Sequence, residues 1–231
     1  MRAKKLVFVF VLPLLFGFAS DKNSLNSGDT PVALVKKIVK NVMYAKINQN
    51  LWEEAKTGLP LNSGEQVKTG PKSIALILFT DGSGLLNVRE NSILTINSKL
   101  DNKRLNKDTF IEKGTVSFDV KKQEDEEFKF TTPTAVASIR GTKGLFDVLD
   151  DGESKMILES GSVELLGKSG KKVTLTAGNT VVFDKAGNAN LYPSTDADKK
   201  KLGQAKSLST KKVKIQTAFG IVEVEYFPDE D

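Results

Sequence analysis

The chain has 231 residues, 34 Lys and Arg against 29 Asp and Glu, 39% hydrophobic residues, and neither cysteine nor histidine. Without His there is no Ser-His-Asp or Cys-His catalysis and no zinc site of the usual kinds; without Cys there are no disulfides, thiolate nucleophiles or iron–sulfur clusters. Charged residues at 27% and aromatics at 7% are ordinary for a globular chain, long enough to bury a core in one large β domain or two smaller ones.

Met1 to Lys5 carries three positive charges, Leu6 to Phe16 is apolar apart from Pro13, and Gly17 and Ala19 supply small residues. A charged start, a short apolar core and small residues at the −3 and −1 positions read as a secretory signal peptide cleaved after Ala19. As a helix, the stretch from Leu6 to Ala19 would span roughly 21 Å, short of the ~30 Å hydrocarbon layer, which disfavours a retained anchor. The expectation is an exported protein, periplasmic or extracellular, with no membrane span after cleavage. With no Cys beside the cleavage site, lipoprotein processing is excluded. Residues 1–19 hold Arg2, Lys4 and Lys5 and no acid, so the net charge falls from +5 to +2 on cleavage. That removes the case for a nucleic-acid binder, which needs a concentrated basic face.

Residues 20–31, rich in Asn, Ser, Gly and Asp, read as a flexible lead-in. Over residues 32–191, short β-type runs alternate with turn signals. SIALILF (73–79), GTVSFDV (114–120), EFKFTT (127–132) and LFDVL (145–149) are followed by runs at 156–158, 162–166, 172–176 and 180–184. Val116, Phe118 and Val120 fall on one side of an extended chain and Ser117 and Asp119 on the other, the period-2 pattern of a half-buried strand. Gly or Asp-Gly turns recur about every eight to twelve residues. The pattern predicts an all-β fold of many short strands, in a sandwich, barrel or solenoid.

Two places tempt a helix assignment. Asn50–Ala55 is one turn at most before Gly58 and Pro60. Asp196–Lys206 is polar on all sides and reads as a marginal helix or part of a solvated, Lys-rich linker over residues 192–212. Residues 213–231 predict a terminal hairpin around Phe219-Gly220, with Val222, Val224 and Tyr226 alternating with Glu223 and Glu225, and an acidic tail.

Two segments resemble the FecR family of bacterial extracytoplasmic domains. The first, Leu51 to Ile96, holds Trp52, the run LNSGEQVKTG (61–70) and FTDGS (79–83). The second holds GTVSFDV (114–120), FKFTTPTAVASIRGT (128–142) and, two residues later than the usual spacing, Phe146-Asp-Val148. ESGSV (159–163) and LTAGN (175–179) look like the family's closing turns. The resemblance spans residues 35–183. It implies a strongly twisted, solenoid-like β domain, with a sandwich as second choice from the strand pattern alone. It also implies a regulatory role without catalysis. The family's full architecture places a cytoplasmic anti-sigma region before one membrane helix. Only five residues precede the hydrophobic segment here, so a stand-alone exported FecR-like domain is expected.

Candidate sites are few. Arg140-Gly141-Thr142 is a cluster in which a guanidinium beside backbone N–H groups could clamp a carboxylate or phosphate; the alternative is that Arg140 pairs with Asp119 or Asp147 and pins a turn. Trp52 is either an exposed aromatic for a glycan or partner, or a half-buried core anchor. Gly82-Ser83-Gly84 lacks the lysine and helix of a phosphate loop and reads as a hairpin turn. Asp150-Asp-Gly-Glu153 lacks EF-hand spacing and reads as a polar turn. The acidic run from Glu124 to Glu127 reads as a solvated loop, and the seven lysines from Lys199 to Lys214 as a solvated linker, with anionic lipid or envelope polymer as the other reading. No metal and no cofactor is expected. The function read from the chain is a non-catalytic domain that binds a protein or cell-envelope partner in envelope sensing or signalling. The competing class is an envelope hydrolase using Ser with Lys, or paired carboxylates.

The signal-peptide reading is checked by intact-mass analysis of the protein exported from its host or a Gram-negative surrogate. The expected mature chain begins at Ser20; a species retaining Met1 to Ala19 in the membrane fraction would make the segment an anchor.

Overall fold

The computed structural model describes residues 31–49, 51–101, 104–122, 127–207, 211–217 and 220–226. The expected signal peptide, most of the lead-in, the acidic run 124–126, the Phe219 tip and the acidic tail lie outside these residues. The strands in chain order open with β1 (Ala33–Val39), β2 (Val42–Ala45), β3 (Glu53–Glu54), β4 (Pro60–Leu61) and β5 (Glu65–Thr69). Then come β6 (Ile74–Phe79), β7 (Gly84–Val88), β8 (Ile93–Asp101), the long β9 (Arg104–Val120) and β10 (Phe128–Thr131). They continue with β11 (Ala135–Ile139), β12 (Thr142–Val148), β13 (Ser154–Ser160), β14 (Ser162–Gly167), β15 (Lys172–Thr176), β16 (Asn179–Phe183) and β17 (Ala189–Pro193). Helix α1 (Asp196–Lys206) follows, then the hairpin of β18 (Lys211–Thr217) and β19 (Gly220–Tyr226). The fold is all-β, as expected.

Pairing sorts β1 to β17 into two facing sheets. Sheet I runs β4-β1-β6-β7-β9-β12-β13-β16-β17. Sheet II runs β3-β2-β5-β8-β9-β10-β11-β14-β15. All pairs are antiparallel except β9 with β10. Strand β9 belongs to both: residues 104–113 pair with β8 in sheet II, and residues 114–120 with β7 and β12 in sheet I. The two sheets thus form one open hydrogen-bonded network. The chain passes from sheet to sheet in pairs of strands, advancing as a solenoid does, while the layers face each other as in a sandwich.

Inward residues fill the space between the layers. Val116, Phe118 and Val120 are buried as their alternation predicts, and Ala75, Ile77 and Phe79 of β6 do the same. Five phenylalanines link the sheets. Phe79, Phe118 and Phe146 come from sheet I and Phe128 and Phe130 from sheet II, with neighbouring ring centroids 4.8–5.6 Å apart. Aromatic pairs at this spacing add to the area they bury.

Of the two alternatives for Asp196–Lys206, marginal helix or solvated linker, the structure shows the helix: the chain completes β17 and forms α1, docked on the outer face of sheet I. Thr195 and Asp198 form a capping box, Thr195 Oγ1 accepting from the Asp198 N–H and Asp198 Oδ2 from the Thr195 N–H. The helix has no continuous apolar stripe; it docks largely through polar groups. Lys201 pairs with Asp147, Lys206 with Glu159 and Lys155 with Asp198. Ser117 Oγ and Arg89 donate to the carbonyls of Ala205 and Ser207, which would otherwise lack partners at the helix end. Beneath lies a small apolar patch of Leu145, Ile157 and Ala205. Ser117, outward on its strand as expected, is buried because α1 covers it.

Gly114, where β9 changes sheets, has φ +96°, and a Cβ there would lie 2.1 Å from Ser92 Oγ and 2.5 Å from Ser92 Cα. Substitution Gly114→Ala therefore combines backbone strain with a clash against main chain and is expected to cost roughly 3 kcal/mol or more. Urea unfolding followed by circular dichroism checks this; a loss below about 1 kcal/mol would mean the crossover tolerates a side chain.

Candidate functional site

One of the candidate segments joins the two sheets. Arg140 and Gly141 link β11 of sheet II to β12 of sheet I, and Gly141 (φ +67°) approaches Lys122 so closely that a Cβ would lie 3.2–3.4 Å from its main chain and Cβ. Thr142 opens β12 and is buried, its hydroxyl without a hydrogen-bond partner among the described residues. Only Arg140 and Gly141 of the three are exposed. The carboxylates considered as partners for Arg140 are engaged elsewhere: Asp119 by Lys143 at 2.8 Å, and Asp147 by Lys201 and Thr115. Trp52 precedes β3 and is half-buried, with Lys68 Nζ 5.5 Å from its ring centroid. Six strand steps of sheet II separate β3 from β11, roughly 29 Å at ~4.8 Å per step, so Trp52 and Arg140 do not share a site.

The turn candidates are turns. Gly82 (φ +71°) and Ser83 join β6 to β7, with the Ser83 N–H donating to Asp81 Oδ1 at 2.9 Å. Asp150 and Asp151 sit between β12 and β13 and pair with Lys113 and Lys185. In the lysine tract, Lys199, Lys201 and Lys206 have ion-pair partners at Asp196, Asp147 and Glu159.

The structure shows a charged pair that the strand pattern hid. Lys107 of β9 is fully buried between the layers. Its ammonium lies 2.5 Å from Asp81 Oδ2, donates to the Leu105 carbonyl at 3.0 Å, and sits 5.9 Å from the Phe128 ring centroid. Lys107 and Thr109 occupy inward positions where the period-2 rule expects apolar residues, so this half of β9 carries no strand signature in the sequence. Partial burial alone would raise the Asp81 pKa. The hydrogen bonds from Lys107 and from the side chain and backbone of Ser83 outweigh it and hold the carboxyl below its usual value. The pair ties the β6–β7 turn of sheet I to sheet II.

Helix α1 covers part of the outer face of sheet I, whereas the outer face of sheet II is open near β11, β14 and β15. A groove of about 530 Å³ lies there, bordered by Lys129, Val136, Ser138, Glu164, Leu166 and Lys172. Register places Lys129, Ser138, Glu164 and Thr174 in one row across the strands, and Val136, Leu166 and Lys172 in the next. Among the described residues no hydrogen bond joins Ser138 to Lys129 or Lys172, and Lys129 is paired with Glu127 at 2.6 Å. Nothing there activates a serine. Sequence reasoning missed this face because its residues are the outward, polar half of each alternation.

Comparison with known proteins bears on the whole arrangement. The family model described as FecR protein matches residues 65–164, the stretch from β5 through β14 that includes the five-phenylalanine core, the Lys107–Asp81 pair and the Arg140–Gly141 crossover. The expected resemblance therefore holds over these residues, which make up somewhat under half of the chain. FecR proteins are regulatory rather than enzymatic in kind. Two crystal structures, at 2.50 and 1.65 Å resolution, of a candidate anti-sigma factor from Parabacteroides distasonis are similar to the chain at 13% identity and a TM-score of 0.49. The similarity covers 56% of this chain and 59% of that one. No curated protein matches the chain. No helix among the described residues is long and apolar enough to cross a membrane.

Because the folded Asp81 pKa is lowered, the pair's stabilisation is present above the unfolded carboxyl value, about 4, and is lost as pH falls through the lower folded value. Replacing Asp81 by Asn strands a buried ammonium and is expected to cost about 3 kcal/mol at pH 7, more than Lys107→Met, while flattening the stability loss below pH 4. Unfolding midpoints across pH 2–7 check both; an unchanged acid limb in Asp81→Asn would show that this carboxylate does not govern it.

Proposed function

We propose that this protein is an exported, non-catalytic FecR-like β domain that recognises a protein or cell-envelope partner and serves envelope sensing or signalling. The observation that carries the reading is the FecR match over residues 65–164. In the structure this segment supplies the five phenylalanines between the two sheets and part of the groove on sheet II, beside β15, whose second edge has no partner strand among the described residues. Its residues pack, cross between sheets and pair charges internally. Export rests on the charged, apolar and small-residue order of residues 1–19.

The experiment is in-cell crosslinking of the full-length protein in its native envelope, followed by mass spectrometry. A single protein or glycan component recovered reproducibly, and absent from an uncrosslinked control, is expected; recovery of abundant envelope proteins alone, in proportion to their abundance, would overturn the reading.

A further inference from the structure

The last strand of sheet II, β15, pairs only with β14 among the described residues, so its second edge offers main-chain donors and acceptors to an added strand. The groove crosses the outer face of sheet II and reaches this edge at Lys172, Val173 and Thr174. Leu166, 44% exposed, and half-buried Val136 and Val173 border it. At the start of β15, the turn from β14 carries Lys168, Lys171 and Lys172, all exposed and none ion-paired among the described residues. The turn is held rigidly. The Lys168 N–H donates to the Thr134 carbonyl, the Gly167 N–H to that of Lys171, and Ser169 Oγ to that of Gly187. Three uncompensated cations at one end of an open edge, beside apolar surface, define what fits.

We propose that β15 is a docking edge for an extended segment of a partner protein, which adds to it as an antiparallel strand and delivers an acidic C-terminal end to Lys168, Lys171 and Lys172. The proposal rests on the partner-binding reading above and names the surface and the chemistry of the partner. Strand addition supplies affinity through main-chain hydrogen bonds and selectivity through alternate side chains. Residues on one face of the incoming strand meet Lys172 and Thr174, and those on the other adjoin Val173 and Leu175, so the segment alternates apolar residues with polar or acidic ones. Running antiparallel to β15, it ends over the lysine turn. Glu164 lies one strand inward, in the row of Thr174 rather than of Lys172, which places the acids at the turn and not along the whole strand.

The probe is a fluorescently labelled peptide with the sequence of residues 220–231, GIVEVEYFPDED, an alternating segment with an acidic end. It is titrated by anisotropy against full-length mature protein. Saturable binding is expected, weakened about tenfold in the K168E/K171E/K172E variant, since three rim charges at ~0.5 kcal/mol each give that factor. A peptide with lysines at its last three positions should recover binding to that variant and thereby show it folded. Equal affinity for protein and variant, or no saturation up to about 1 mM peptide, would overturn the proposal. Self-association of the unmodified protein in sedimentation, lost in the variant, would assign the edge to a second copy and overturn it too. In-cell crosslinking separates this idea from the broader one: the same partner captured by the variant as by the unmodified chain rejects only the β15 site, whereas no partner for either rejects partner binding itself.

Discussion

Strand β9 must serve two sheets at once, and that depends on the absence of a side chain at Gly114. The backbone there, at φ +96°, runs so close to Ser92 that a methyl group would overlap its main chain. On one side of this point the strand pairs with β8 and β10, on the other with β7 and β12. The two layers are thereby parts of one hydrogen-bonded network. The pairwise traffic of the later strands, β10 and β11 in sheet II, β12 and β13 in sheet I, continues from that crossover. Gly141 (φ +67°) repeats the device on a smaller scale, where Lys122 leaves little room beside the chain.

The interior held by this crossover mixes two kinds of interaction. Phe79, Phe118, Phe128, Phe130 and Phe146 form a continuous aromatic contact between the layers, insensitive to pH and salt. Beside them, Lys107 and Asp81 place a charge pair where desolvation is costly and only close hydrogen-bonded geometry offsets it. The phenylalanines supply burial; the ion pair favours one register of the β6–β7 turn over its neighbours. In a chain with no cysteine, these contacts and the sheet hydrogen bonds hold the domain without disulfide help.

Helix α1 and the groove on sheet II divide the outer surface. The helix is polar around its circumference, and its own sequence would not hold it folded in water at 11 residues. Sheet I supplies the acids for its lysines and the donors for its last carbonyls. With part of sheet I so covered, sheet II keeps an open face and, at β15, an edge whose lysines have no ion-pair partner among the described residues.

The sequence by itself determined the strands with clean alternation, the glycine turns between them and the FecR pattern, because periodicity and turn chemistry are local. It placed β10, β14, β15 and β16 to within a residue, caught only parts of β12 and β13, left β11 unassigned, and separated the terminal hairpin. Tertiary structure alone decided three things. The first half of β9 is a strand although Lys107 and Thr109 stand at inward positions, since a carboxylate from another sheet neutralises the lysine there. Asp196–Lys206 is a docked helix rather than a linker, because its partners Asp147, Glu159 and Ser117 lie 30 or more residues away in sequence. Arg140 and Trp52, both offered by the sequence as candidates, lie on strands roughly 29 Å apart, whereas Lys168, Lys171 and Lys172 come together at the start of an edge strand. Each depends on groups brought together by the fold from remote segments, which no local pattern in the sequence records.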